Sequence, residues 1–205
     1  MESASEKRTW YGLFRNITIT AGGITRLKEL WKKGELPGGV KLSEDELCTL
    51  ALTIALKDPG VAGKILAEQR TRITGNDRLQ RFDFMAPSVS SDQAVRDAFF
   101  SSLADPANRE HEPWVLEALG YLHHPMVAQR SEKYILPSLE MLEEIKATGD
   151  IFFPGGWISA TLAGHRSATA EEIVSRFMES RPGYPPDLRL KILQAADHLY
   201  RNMMK

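Results

Sequence analysis

The chain has 205 residues, with 26 Lys and Arg against 27 Asp and Glu, and 42% of it is hydrophobic. That length suits one domain or two small ones with a substantial buried core. The near-neutral balance removes a general pull toward nucleic acid or an anionic membrane, and the single cysteine, Cys48, removes any internal disulfide and any cysteine-based zinc site.

In chain order, the opening "MESASEKRTW" is too polar for a secretory signal. "GGVKL" at 38–42 is a short extended candidate, too short to build a sheet. Ser43 and Glu46 have capping-box spacing. Behind them Leu47, Leu50, Ala51 and Ile54 repeat at i, i+3, i+4, i+7, one face of a helix. "LCTLALTIAL" at 47–56 is far shorter than the roughly 20 apolar residues that span a bilayer. Cys48 within it reads as a small buried apolar residue and fits a reducing compartment, which favours the cytoplasm. Ser90 with Gln93 and Thr169 with Glu172 repeat the capping spacing. Val95, Ala98, Phe99 and Ser102, with Leu103 beside them, form the next stripe.

Pro106 after Asp105 and Pro113 after Glu112 read as first-turn prolines. Further stripes are Val115–Ala118–Leu119–Leu122, Ile135–Leu139–Leu142, Ala170–Ile173–Val174–Phe177 and Leu188–Ile192–Ala195–Ala196–Leu199. Stops fall at Gly34, Gly60, Gly75, Gly149 and Pro182-Gly183. These signals predict an all-α chain of about eleven helices, mostly about 10–18 residues long. Pairs starting near Ser43, Gly75, Glu112 and Pro154 recur at about 30–45 residues, the range of HEAT and armadillo arrays. The expected architecture is a right-handed superhelix of antiparallel helix pairs in a single domain, 1–205, with an irregular bundle as the alternative.

Chemistry-bearing residues are sparse. His111-Glu112 opens like the zinc-peptidase signature H-E-x-x-H, but the second histidine position holds Val115. Adjacent residues on a helix point about 100° apart, so His123 and His124 read as a helix end rather than a ligand pair. His111 and His123 are expected about 18 Å apart on a helix, too far to share one ion. His165 follows Gly164, a helix stop, and no G-x-S-x-G elbow is present to complete a triad. The glycine pairs match no phosphate-binding loop. No catalytic residue, metal ligand or cofactor is read in the chain. One segment is denser: "DPANREHEPW" at 105–114 crowds Asn108, Arg109, Glu110, His111, Glu112 and Trp114 between helices. It reads as a clamp between neighbouring helices first and a ligand site second.

Four phrases resemble the C-terminal helical domain of the aminopeptidase N-type zinc metallopeptidases: "RDAFFSSLADPANREHEPWVLEALGYLHHP", "SEKYILPSLEMLEEIKATGDIFFPGGW", "GHRSA" and "RPGYPPDLRLKILQAADHLYR". The resemblance covers nearly the whole chain and is strongest from Val95 onward. It implies a HEAT-like superhelix facing the active site, walling the internal cavity and limiting peptide access. In that family the zinc, its ligands and the amine-holding segment belong to an upstream catalytic domain. None of those motifs occurs here, so no catalytic residue carries over. The resemblance also implies that the polypeptide continues upstream of Met1. The expected partners are that catalytic domain and peptide substrates, with no nucleic acid and no membrane.

In a helix-pair solenoid the second helices, here about 61–73, 91–103, 131–147 and 169–181, line the concave side. Their non-core residues include Arg70, Arg96, Lys133, Tyr134 and Arg176. The candidate cavity residues are therefore Arg96, Lys133 and Tyr134, with Asn108, Arg109, Glu112 and Trp114 from the loop. Simple pairing of Arg96 and Arg176 with nearby carboxylates is the competing expectation. Two other functions are weighed. One is an independent HEAT-like scaffold that binds a protein partner. The other, a self-contained hydrolase, is disfavoured by the missing constellation.

Overall fold

The computed structural model describes residues 3–203, and they are all-α apart from one two-stranded hairpin. The chain falls into two compact units, Met1–Asp92 and Gln93–Lys205.

In the first unit, α1 (Ala4–Ile17) starts at a capping box between Ser3 and Glu6. Helix α2 (Ala21–Lys33) ends on Gly34, whose φ of +69° is the left-handed conformation glycine adopts without penalty. The extended candidate at 38–42 contributes a strand of two residues: β1 (Glu35–Leu36) pairs antiparallel with β2 (Val40–Lys41). Helix α3 (Glu44–Lys57) begins at the predicted box between Ser43 and Glu46 and is buried from Leu50 to Lys57. It is the core of the unit, packed on α2 and on α4 (Ala62–Arg72), with α5 (Asn76–Met85) against it. Cys48 on α3 is half-buried, with its sulfur 3.6 Å from the Gln69 amide. Lys57 ends α3 in an unusual place for a lysine. Its buried ammonium donates to the carbonyls of Arg15 (2.6 Å), Asn16 (3.1 Å) and Thr18 (2.7 Å). It thereby caps the C-terminus of α1, where unpaired carbonyls and the helix dipole favour a cation. Gly75, expected as a stop, is instead the residue before α5; α4 ends at Arg72, with Ile73 as its C-cap.

In the second unit, α6 (Gln93–Ser102) buries Arg96, Phe99 and Phe100, with Leu103 just beyond its end. The buried face is one residue off the predicted Val95 stripe, and Val95 is exposed. The pattern 96, 99, 100, 103 has the right spacing but hides behind a charged residue. Helix α7 (Glu112–Leu122) buries the predicted Val115, Ala118, Leu119 and Leu122 completely. The helix predicted over 131–147 is broken into α8 (Ala128–Ser131), a 3-10 turn (Glu132–Tyr134), α9 (Ile135–Glu140) and α10 (Leu142–Thr148). Pro137 lacks the N–H that would bond the Lys133 carbonyl, so the turn before it tightens. Helix α11 (Phe153–Leu162) packs against both α7 and α13 (Pro186–Met203). Helix α12 (Ala168–Glu179) packs against α9 and α13. Within this unit α7, α11 and α13 therefore form one row, and α9 and α12 lie side by side in a second row. Trp157 of α11 sits at the centre, its indole N–H donating to the Ser138 carbonyl at 3.1 Å.

Candidate functional site

Between α6 and the segment from the 3-10 turn through α9 lies an open groove of about 540 Å³ lined by Asp97, Phe100, Lys133, Tyr134, Glu140 and Met141, among others. Helix α6 supplies Asp97 and Phe100, and the 3-10 turn before α9 supplies Lys133 and Tyr134. The Phe100 and Tyr134 rings stack at 4.5 Å and hold the two elements together. Asp97 is the polar hub. It accepts from the Lys133 ammonium at 2.6 Å, from the Gln93 amide at 2.9 Å and from the Tyr134 hydroxyl. These donors, Lys133 first, pull its carboxyl down to about 2. Burial, followed by the charge and hydrogen bond of Asp97, raises the Tyr134 phenol far above its ordinary range. Asp97 is thus ionised and Tyr134 protonated at any ordinary pH. Neither group is poised for proton transfer near neutrality, so the arrangement is suited to binding rather than acid–base work.

Arg96 lies behind this surface rather than on it. It is buried, and its guanidinium donates to the Leu122 carbonyl at 2.6 Å. The expectation that it lines the cavity was read from the helix stripe that proved one residue off. Burial lowers its proton affinity, while Tyr134 and Asp97 oppose that loss. Arg176 is paired with a carboxylate as the competing expectation held, and Arg70 is paired as well. Arg70 holds Asp83 through two hydrogen bonds at 2.8 and 2.9 Å, and Arg176 holds Glu172 one turn away at 2.5 Å.

The 105–114 loop is built as a clamp. Asn108 donates to the Ser102 carbonyl at 2.9 Å. Arg109 is buried; it donates to the Leu103 carbonyl at 2.5 Å and to Glu144 of α10. Glu112 accepts from the Asp150 backbone N–H at 2.7 Å. His111 and Trp114 stack on each other at 4.1 Å around the first turn of α7. These contacts tie α6 and α7 to α10 and the turn after it. The structure brings Lys133 and Tyr134 together in the groove; Asn108, Arg109 and Glu112 spend their polar atoms on the clamp.

A second cluster was invisible to sequence reasoning. His123, closing α7, and His165, in the loop after α11, are both buried, and their facing nitrogens are 2.8 Å apart. His198 of α13 lies 3.1 Å from the His165 carbonyl. The Tyr134 ring meets His123 edge-on at 6.1 Å, so the pair backs onto the groove. Gly164 permits the approach: a Cβ there would lie 1.7 Å from the His123 carbonyl oxygen. That glycine is the one signal of the approach in the sequence, and as a helix stop it does not reveal its neighbour. Among the described residues, no group of three or more His, Cys, Asp or Glu is placed to hold a metal ion. Among them, no helix is long and apolar enough to cross a membrane.

No protein-family model matches the chain, and no curated protein or solved structure does either.

Proposed function

We propose that this chain is the non-catalytic helical part of a zinc aminopeptidase, walling the active-site cavity and limiting which peptides enter. The supporting observation is the groove between α6 and the turn before α9. It opens on two of the segments that a helix-pair solenoid assigns to its concave side. It is lined by the Asp97–Lys133 ion pair and by Phe100, Pro137 and Met141. Such a surface accepts an extended peptide along its apolar lining. Lys133 remains half-exposed and is available to a substrate carboxylate. In this reading the zinc, its ligands and the hydrolytic step belong to the upstream catalytic domain, and closing the superhelix over that site excludes water and bulky substrates. The right-handed superhelix is part of the same proposal.

The test compares the intact polypeptide with one lacking this chain, on a ladder of peptides of rising length. The proposal expects length discrimination to weaken when the chain is removed while a single-residue amide is still cleaved. An unchanged length profile contradicts it, as does an intact reading frame without H-E-x-x-H upstream. The second reading, an independent scaffold for a protein partner, draws on the exposed face of α1.

A further inference from the structure

Helix α1 exposes one apolar face among the described residues. Trp10, Leu13 and Ile17 fall at i, i+3, i+7, and Ile19 follows just past the helix end. They are 61%, 48%, 64% and 67% exposed. Isolated exposed apolar residues need no explanation, but a contiguous row of large ones marks an interaction surface. Beside the row lies a cavity of about 350 Å³ lined by Lys7, Trp10, Tyr11, Phe14, Arg26 and Leu36, among others.

The surroundings are basic. Residues 3–41 contain eight Lys and Arg against three acids, with Arg8 and Lys28 paired to Glu46 and Asp58 beyond them. Lys7 has no ion-pair partner among the described residues, and its ammonium reaches over the tight turn at Gly38, where a Cβ would meet it at 2.3 Å. Arg26 is held by an exposed pair with Glu29 at 2.7 Å.

From the apolar row, the socket beside it and these two cations, we propose that the α1 face docks a protein segment of complementary chemistry. An apolar side chain of that segment fills the cavity against Trp10 and Phe14, and an adjacent carboxylate meets Lys7 and Arg26. Charge complementarity selects this occupant. A second copy of the chain would bring basic surface against basic surface. An anionic bilayer is a poorer fit, because a flat surface does not fill a socket. The proposal stands independently of the aminopeptidase reading, since it concerns only the first unit and needs no zinc site.

The test is fluorescence anisotropy with a labelled synthetic amphipathic helix that has a leucine face flanked by glutamates. Its comparators are the same helix with lysines for the glutamates, and vesicles of phosphatidylcholine with phosphatidylserine. Trp10→Ala and Lys7→Glu are the protein variants. Trp10 is exposed, so its loss leaves folding intact, and a thermal melt of each variant verifies that. The expected result is saturable one-to-one binding of the acidic helix, weakened about tenfold or more by either variant. Lys7→Glu should also narrow the preference for the acidic helix over the basic one. Equal binding of both helices, or of neither, overturns the proposal. So does vesicle binding that depends on Trp10, or self-association in sedimentation velocity that Trp10→Ala abolishes.

Discussion

His123 and His165 share one hydrogen bond across 42 residues of chain, with Nδ1 of the first 2.8 Å from Nε2 of the second. One nitrogen must donate and the other accept, so the pair cannot carry a proton on both facing atoms. Their remaining nitrogens are buried and unpartnered among the described residues. Burial, then the charge of the partner ring, then Arg96 push His123 well below its usual range. Burial lowers His165 to about 4; Glu132 opposes this, while His198 and Arg166 add to it.

These depressions predict acid lability. The unfolded chain takes up these protons near pH 6.5, whereas folded His165 resists until about pH 4. Between those values the unfolded state binds more protons, so stability falls as pH falls. The contribution of His165 over the window is about 3 kcal/mol at most. Thermal melts from pH 7.5 to 4 should show Tm dropping below pH 6.5. His165→Gln should flatten that slope even if it lowers stability at pH 7.5. An equal slope in wild type and variant contradicts the account.

Gly164 should tolerate no side chain. Its Cβ would overlap the His123 carbonyl, which is backbone and cannot turn aside. Gly164→Ala should cost about 3 kcal/mol or more. Gly120, exposed within α7 and with open space around its Cβ position, should behave oppositely. Gly120→Ala should gain up to about 1 kcal/mol from helix propensity. Urea unfolding of the two variants separates close approach from mere helix breaking.

Lys57→Met keeps the length of the side chain and removes the ammonium that satisfies three carbonyls at the end of α1. The expected loss is about 2 kcal/mol, since charge-assisted hydrogen bonds are given up and water recovers only part of them. Hydrogen exchange should speed up in the last turn of α1 more than in α4. Uniform acceleration would show that the cap is not the cause.

The helices were legible because their signals are local. Ser43 with Glu46 and the buried face of α7 behave as their spacing predicts. The loop at 105–114 was also legible as a clamp, because charged and aromatic residues crowded between two helices need partners nearby. Arg96 was misplaced because a hydrophobicity pattern counts a guanidinium as surface, although its donors can be satisfied inside by a helix-end carbonyl such as that of Leu122. The helix over 131–147 was drawn as continuous because its apolar spacing runs through Pro137, while the missing N–H breaks it. The histidine pair was beyond reach for a different reason. Nothing in "LHHP" or "AGHRS" shows that the ends of α7 and α11 meet; that follows from how the rows of helices pack.

Lys133 gives the most direct test of the cavity proposal. It is half-exposed and its pair with Asp97 is a surface pair, so Lys133→Glu should leave the fold intact. The measurement is KM in the intact polypeptide for a series of peptides and for a single-residue amide. The account predicts that KM rises severalfold for the peptides and stays unchanged for the amide, because only the peptides reach the groove. Unchanged KM for both substrates, with the variant folded normally, would contradict it.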